Sequence, residues 1–174
     1  MPINTIIHNG TIYPYFQAEG NASQYIISFA SKVCKGVGFD VGFSKPEWKL
    51  PGAIGIDQGI ICDTDGILRS EEVDADHLPE QIVEYIFSSH CLEHVPNWIN
   101  SLDHWNTRLS SGGVLFLYLP DYSQSYWRPW INRKHNHVLS PNVIQDYLID
   151  RKYKNIFVSG VDLNNSFTIM AEKI

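Results

Sequence analysis

The sequence places acidic residues at the ends of two apolar stretches. Asp40 and Gly42 end the first stretch, and Asp57 ends the second, 17 residues after Asp40 (57 − 40 = 17). The glycine allows the backbone to approach a ligand closely, and the Asp40 carboxylate can accept a hydrogen bond from a ligand's amine. A carboxylate about 20 residues after a glycine turn is placed to hold ribose hydroxyls. These positions predict a nucleotide-type site, with an ordinary turn after a strand as the alternative interpretation of Gly42.

Two further polar segments extend this pattern. The acidic turn from Asp74 to Pro79 is predicted to precede a helix, and Asp74 can accept a hydrogen bond from an adenine amino group. The segment Ser88-Ser89-His90 ends a later apolar stretch. Each segment by itself is also consistent with a solvated loop. Four polar strand ends in this order favour one shared site.

These side chains can meet only if a sheet brings the strand ends to one edge. Short apolar segments that end on small or polar residues are typical of parallel strands buried on both faces. Helical segments alternate with them, which predicts an α/β fold with a mostly parallel sheet and an antiparallel C-terminal strand. The predicted core strands are Val37–Gly42, Ala53–Asp57, Tyr85–Ser89 and Val114–Pro120.

Helices and a closing hairpin complete the predicted elements. The first helix covers Ala22–Cys34, with Asn21 as its N-cap and Gly36 as its C-terminal stop. The other predicted elements are a helix over Pro96–Leu109 that ends before Gly112-Gly113, a helix that starts at Ser140-Pro141, and a hairpin of Asn155–Val161 and Ser166–Glu172 around Asn164-Asn165.

Four segments resemble motifs of class I S-adenosylmethionine-dependent methyltransferases of the methyltransferase type 11 kind. Phe87–Val95 resembles their strand 4 motif, and Asp74–Pro79 resembles their acidic adenine-side motif. Leu109–Pro120 resembles their strand 5, and Lys49–Asp57 resembles a short variant with a reduced first crossover. The resemblance covers roughly Val37 to Asp121 well and the C-terminal third loosely.

The resemblance implies a Rossmann-like three-layer sandwich that binds S-adenosylmethionine and releases S-adenosylhomocysteine. Asp40 and Gly42 are then expected at the methionine part, Asp57 at the ribose, and Asp74 with Ala75 at the adenine. Ser89 and His90 are expected near the reacting methyl group. The full cofactor-binding set implied by the resemblance is Asp40, Val41, Gly42, Phe43, Asp57, Gln58, Asp74, Ala75, Ser89 and His90.

The sequence departs from that family in its first loop. Where the family has three alternating glycines, this chain has Gly42, Ser44 and Pro46. Ten residues separate the first two predicted strands (52 − 42 = 10) and include Pro46 and Pro51, which argues against a full helix there. The helix N-terminus that would bind an anion is therefore reduced. A non-catalytic binding module with a degenerate methyltransferase fold is the alternative function.

Residues after the last core strand are candidates for the acceptor side. If the methyl acceptor carries a proton, a general base is needed, and the candidates are His90, Asp121, His135 and His137. The same segment is rich in aromatic residues, which suits a lid over a small-molecule acceptor. A contact patch for a protein partner is the alternative. The aromatic residues are Tyr122, Tyr126, Trp127 and Trp130.

One competing motif concerns zinc. His90, Glu93 and His94 match the H-x-x-E-H pattern in which two histidines on one helix bind zinc and the glutamate activates water. His90 directly follows an apolar strand and Pro96 comes soon after, so one continuous helix is not expected. We therefore predict no metal ligands and interpret His94 as a histidine at the start of a helix, with zinc hydrolysis as a remote alternative.

Composition narrows the class of partner. The 174-residue chain has 13 basic and 19 acidic residues, a net charge of −6, and no Lys/Arg run, so neither nucleic acid nor an anionic membrane is expected as a partner. The strongly apolar run Gly113–Leu119 is too short to cross a bilayer. The odd, widely spaced Cys34, Cys62 and Cys91 predict reduced thiols and a cytoplasmic protein.

We predict a single domain over residues 1–174 with three parts. Residues 1–36 supply an N-terminal cover and helix, in which Tyr13–Gln17 either packs over the cofactor or docks on the core. Residues 37–121 form the cofactor-binding core, and residues 122–174 supply the acceptor-side loop, a helix and the closing hairpin. The sequence leaves the oligomeric state and the acceptor open.

Overall fold

The computed structural model describes residues 4–8 and 10–174, and their fold is mixed α/β. The helices are α1 (Tyr15–Ala18), α2 (Ser23–Val33), α3 (Trp98–Arg108) and α4 (Pro141–Asp150). The strands are β1 (Thr5–His8), β2 (Thr11–Pro14), β3 (Gly38–Val41), β4 (Ile54–Asp57), β5 (Ile60–Cys62), β6 (Leu68–Ser70), β7 (Val83–Ser89), β8 (Leu109–Pro120), β9 (Lys154–Val158) and β10 (Ser166–Glu172).

A parallel core confirms the predicted sheet. The main sheet has the order β6-β5-β4-β3-β7-β8-β10-β9, and β4, β3, β7 and β8 are parallel to one another. In this register Asp40 lies between Gly55 and Phe87. Because parallel strands bring their carboxyl ends to one edge, the polar residues that follow β3, β4 and β7 gather there.

Antiparallel strands flank this core on both sides. The predicted C-terminal hairpin is present, with β10 paired to both β8 and β9. The short strands β5 and β6, which extend the opposite edge, were not predicted. Each has only three residues, so neither gives a period-two pattern long enough to recognise.

The helix predicted after the acidic turn is absent. From Pro79 the chain continues without a helix to Val83, where β7 begins. Only residues 80–82 lie between them, too few for a helical crossover. The first crossover is also short and contains only a 3₁₀ turn at Pro46–Trp48, as its prolines predict.

Two apolar layers cover the sheet. Ile26 and Ala30 of α2 pack on one face against Tyr85 and Phe87 of β7. The other face is covered by α3 and α4, so the helices and the sheet form the expected three-layer sandwich. The buried residues of this second layer include Ile86, Leu102, Trp105, Ile144 and Leu148.

The helix boundaries differ slightly from prediction. Helix α2 starts after Ala22, without a side-chain cap from Asn21. The Asn97 side chain caps α3, so Pro96 precedes the cap and is not the first helical residue. Ser140 caps α4 as predicted, because its Oγ accepts from the Val143 amide at 3.4 Å.

The end of α3 also shifts relative to the prediction. The helix ends at Arg108, and β8 begins at once and runs through both glycines that were expected to precede it.

Candidate functional site

Two adjoining cavities open at the carboxyl ends of β3, β4 and β7. The larger cavity has a volume of about 550 Å³ and the smaller one about 250 Å³. Gly42, His90 and His94 line both. The size of the larger cavity suits a small organic ligand, because such sites usually measure about 300–1,000 Å³.

Acidic residues on two loops face each other across the smaller cavity. Asp57 accepts from the Gln58 amide at 2.7 Å and from the Ser44 amide at 3.0 Å. On the other loop, Asp74 accepts from the Asp76 amide at 2.8 Å. A carboxylate has about four acceptor positions, so both residues keep capacity for a ligand. Asp57, Gln58, Asp74 and Ala75 all line this cavity, as the predicted set requires.

The turn between the cavities requires glycine. Gly42 has φ +84°, and a Cβ built there would lie 2.5 Å from the Cys91 Cβ. Its amide donates to the Ile56 carbonyl oxygen at 2.7 Å, which fixes the turn against β4. Any side chain at this position would be strained and would displace Cys91.

A buried carboxylate faces the larger cavity. Asp40 is 2% exposed, and its Oδ2 accepts from the Leu50 amide at 2.6 Å. Desolvation raises the pKa of Asp40 to about 7, although the Leu50 hydrogen bond and nearby Lys49 oppose this shift. A cationic ligand group would favour the ionised form of Asp40.

The neighbours of Asp40 on β3 and the loop after it differ in their orientation. Phe43 lines the larger cavity as predicted. Val41 does not: its side chain is fully buried in the core, and its carbonyl accepts from the Ser88 hydroxyl at 2.9 Å. The pleat of the strand turns alternate side chains to opposite faces, so Val41 cannot point to the cavity together with Asp40.

Ser89 and His90 reach the larger cavity from the end of β7. The Ser89 hydroxyl is buried and has no hydrogen-bond partner among the described residues. His90 has φ +49°, and its Nε2 lies 2.8 Å from the Ser166 Oγ. Desolvation, with neighbouring His135 and His94, lowers the pKa of His90 to about 3, so its ring is neutral near pH 7.

The four candidate bases separate into two groups. His135 is buried, lines the larger cavity and stacks on Trp127, with 5.0 Å between ring centroids. Desolvation lowers the pKa of His135 to about 4. Asp121 and His137 line neither cavity, because local hydrogen bonds hold them elsewhere.

The hydrogen bonds of Asp121 and His137 hold local backbone segments together. Asp121 accepts from the Ser123 amide at 2.9 Å in the turn after β8. His137 Nε2 lies 2.9 Å from the Val95 carbonyl oxygen and 3.1 Å from that of Pro96. Of the four predicted candidates, the structure therefore places only His90 and His135 at the cavity.

The N-terminal segment closes the larger cavity. Gln17 of α1 is buried; its Nε2 donates to Ser166 Oγ at 3.0 Å and to the Asn164 carbonyl, and its Oε1 accepts from Trp127 Nε1. The sequence predicted that this segment either packs over the cofactor or docks on the core, with no contact assigned to Gln17. The available signal in the sequence was a polar residue, Gln17, at the end of an aromatic segment.

The aromatic segment after β8 contributes one ring to the cavity wall. Trp127 lines the larger cavity, whereas Tyr122 and Trp130 are exposed and do not. The side chains of Tyr13 and Tyr126 lie outside the part of the chain that the structure describes. The predicted lid is therefore represented by Trp127 and His135.

Glu93 lies at the centre of three histidines. Its Oε1 is 3.8 Å from His90 Nδ1, 3.8 Å from His94 Nε2 and 4.0 Å from His135 Nε2. Burial raises the pKa of Glu93 to about 8. His90 precedes the 3₁₀ turn Leu92–His94, so the single helix of the zinc-protease motif is absent. That His135 joins this group from another loop was not predicted from the sequence.

The sequence matches a known family over most of its length. Residues 18–157, more than half of the chain, match the family described as a methyltransferase domain. No curated protein sequence gives a significant match.

Solved structures share the fold at low sequence identity. A methyltransferase from Archaeoglobus fulgidus superimposes with TM-score 0.63 at 14% identity, covering 91% of this chain and 99% of that one. One from Thermotoga maritima gives TM-score 0.68 at 13% identity, covering 92% and 93%. The N-methyltransferase NodS from Bradyrhizobium japonicum, in complex with S-adenosylhomocysteine, gives 0.59 at 14% identity, covering 91% and 88%.

Proposed function

This chain belongs to the methyltransferase-domain family and is an S-adenosylmethionine-dependent methyltransferase, and we propose that it methylates a small-molecule acceptor bound in the larger cavity. The observation that carries the proposal is the pair of cavities that meet at Gly42. Asp57 lies on one side of this meeting point and Asp40 on the other.

The residues around both cavities fit the donor's chemistry. We assign Asp57 to the ribose hydroxyls and the loop of Asp74 and Ala75 to the adenine. Asp40 suits the donor's ammonium group, because it is a buried carboxylate whose ionised form a cation would stabilise. The unpartnered Ser89 hydroxyl is a buried polar atom that a ligand can satisfy.

The chain's own contribution is alignment and exclusion of water. The donor supplies an activated methyl group on a sulfonium, so the acceptor needs chiefly to be held in line with it. Such positioning can provide about 7–11 kcal/mol of the barrier. His90 and His135 line the larger cavity and are the two remaining candidates for a base if the acceptor carries a proton.

The larger cavity supports a small, partly polar acceptor. Its wall combines the indole rings of Trp48 and Trp127 with the polar side chain of Gln17. A volume of about 550 Å³ suits a small molecule, not a folded macromolecule. The net charge of −6 also disfavours nucleic acid as the acceptor.

The three predicted parts of the chain contribute differently to the two cavities. Residues from 1–36 and from 122–174 meet over the larger cavity, through Gln17 on one side and Trp127 with His135 on the other. Residues 37–121 supply the loops after β3, β4 and β7. We propose that the first and last parts select the acceptor, while the middle part binds the donor.

We also propose a reducing compartment, the cytoplasm. The three cysteines are free thiols in the structure, with Cys34 and Cys62 buried. Among the described helices, none is long and apolar enough to cross a membrane.

Calorimetric titration with S-adenosylhomocysteine tests the donor site. Asp57→Ala should weaken binding at least about tenfold, because hydrogen bonds to a charged group contribute about 1.5–3 kcal/mol. The matched control is Glu80→Ala, which removes an exposed carboxylate from the loop before β7 and should bind like the wild type. Equal affinity of all three proteins would refute the assignment of Asp57.

A further inference from the structure

We propose that Glu93, His94 and His135 bind one divalent transition-metal ion, with Zn²⁺ as the probe, on the wall of the larger cavity. The three residues offer one carboxylate oxygen and two imidazole nitrogens. This donor set suits zinc and its neighbours in the first transition row. All three side chains line the larger cavity.

The spacing of the donor atoms fits a shared ion better than it fits hydrogen bonds. One atom from each residue lies within 4.8 Å of the other two. Glu93 Oε1 is 3.8 Å from His94 Nε2 and 4.0 Å from His135 Nε2, too far for a hydrogen bond. Two ligands that each lie about 2.0–2.2 Å from one tetrahedral zinc ion are separated by roughly 3.3–3.6 Å. A small contraction of the group therefore brings all three atoms to bonding distance.

The Glu93 carboxylate lacks a partner. It is 1% exposed, and neither of its oxygens accepts a hydrogen bond from another of the described residues. An uncompensated buried carboxylate is costly, so buried charges are normally paired or bound to a metal. Its Oε1 faces the imidazole nitrogens of His94 and His135, which places an unsatisfied carboxyl oxygen inside the donor set.

The two histidines are held as metal-binding histidines usually are. His94 Nδ1 donates to the Lys134 carbonyl oxygen at 2.8 Å, which leaves the lone pair of Nε2 directed at Glu93. The His135 ring hydrogen-bonds the Trp127 backbone and stacks on its indole. Hydrogen bonds of this kind fix the tautomer and orientation of ligating imidazoles.

Backbone contacts hold the two contributing segments together. Glu93 and His94 lie on the 3₁₀ turn after β7, and His135 lies in the loop after β8. Asn136 joins them, because its amide donates to the Glu93 carbonyl oxygen at 2.8 Å and its Nδ2 donates to the His94 carbonyl oxygen at 2.5 Å. The donor set is thus built before an ion arrives, which lowers the cost of binding.

Three protein ligands leave a coordination position open, as in catalytic zinc sites. Because the ligands line the larger cavity, that position faces the space assigned to the acceptor. This step rests on the proposed function: the acceptor would then be a molecule whose oxygen or nitrogen binds the ion. His90 Nδ1 lies 3.8 Å from Glu93 Oε1, next to the donor set.

Zn²⁺ titration of the chelator-treated full chain by calorimetry tests the site. We expect one strong site, and Glu93→Gln, His94→Gln and His135→Gln should each weaken it at least about tenfold, since even outer partners of a metal contribute 10–100-fold. His77→Gln is the matched control, because His77 is highly exposed and lies outside both cavities. It should bind Zn²⁺ like the wild type.

A second measurement guards against variants that fail to fold. Zn²⁺ should raise the unfolding temperature of the wild type, a chelator should reverse the rise, and Glu93→Gln should abolish it. Absence of stoichiometric Zn²⁺ binding by the wild type, or equal binding by folded Glu93→Gln, overturns the proposal. These titrations contain no S-adenosyl compound, so their failure is distinct from a failure of S-adenosylhomocysteine to bind.

Discussion

At the scale of single residues, Gly42 combines two constraints that can be separated. Replacement by alanine imposes a left-handed conformation on a side chain and forces its Cβ to within 2.5 Å of the Cys91 Cβ. We expect Gly42→Ala to lower the free energy of unfolding by about 3 kcal/mol or more, from strain and overpacking together. Urea denaturation measures the change.

Gly52 supplies the control for this prediction. It has φ +80°, but a Cβ built there meets nothing within 4 Å. Gly52→Ala should therefore cost only about 1–2 kcal/mol, the strain of the left-handed conformation. If both variants lose the same stability, the contact with Cys91 does not constrain the turn.

Because Asp40 is assigned to the donor's ammonium group, we expect donor binding to depend on pH. Desolvation raises its pKa to about 7, so below that pH the side chain is increasingly protonated and cannot pair with the ligand's ammonium. Affinity for S-adenosylhomocysteine should rise as the pH rises through 7, with about tenfold weaker binding at about pH 6 than at about pH 8. Calorimetric titration at the two values measures it.

Asp40→Asn is the control, because its amide oxygen can still accept from the Leu50 amide. This variant should bind more weakly and lose the pH dependence. The groups that act electrostatically on Asp40, Lys49 and Asp57, are kept. An unchanged pH profile in the variant would show that another group titrates.

The raised pKa of Asp40 also makes the free energy of unfolding depend on pH. Between about pH 4 and 7 the folded Asp40 holds a proton that the unfolded chain has lost, so the free energy of unfolding falls as the pH rises through this window. The unliganded Asp40→Asn variant should lack that contribution.

At the scale of elements, α1 links the N-terminal segment to the opposite wall of the larger cavity. Gln17 contacts Ser166 at the start of β10 and Trp127 in the loop after β8. We expect Gln17→Leu to lower the free energy of unfolding by about 1–3 kcal/mol, because buried partners lose their hydrogen bonds. Thermal or urea denaturation measures the change.

Gln24→Leu is the matched control for this substitution. Gln24 is exposed on α2, so the variant should stay within about 0.5 kcal/mol of the wild type. Equal losses from Gln17→Leu and Gln24→Leu would mean that the buried contacts of α1 do not stabilise the fold.

Elements also show where local sequence signals were sufficient. The cap at Ser140 was predicted because serine is preferred at the N-cap and proline at the first helical position, which is a signal of two adjacent residues. The prolines of the first crossover likewise limited it to the 3₁₀ turn Pro46–Trp48. By contrast, β5 and β6 form because β4 offers an edge, and three-residue strands carry no pattern of their own.

At the scale of the whole molecule, the parallel core explains the position of the site. Loops from β3, β4 and β7 converge at one edge, and the loop after β8 lies above them. Strand β10 pairs antiparallel with β8 and brings Ser166 Oγ to 2.8 Å from His90 Nε2. The larger cavity therefore collects residues from α1, from the loops after β3 and β7, and from the loop after β8.

The sequence by itself determined the α/β class, the parallel core, the strand ends that carry Asp40 and Asp57, and the turn that carries Asp74, because apolar runs and the polar residues that end them are local patterns. Tertiary structure decided which side chains reach the cavities. The pleat buried Val41, and backbone hydrogen bonds turned His137 away.

The same reason accounts for Glu93 and His135, which lie 42 residues apart (135 − 93 = 42) and meet because Lys134 and Asn136 hydrogen-bond the turn after β7. Separations of this kind leave no periodic signal in the chain, since the loops that bridge them are positioned by packing and not by local preference.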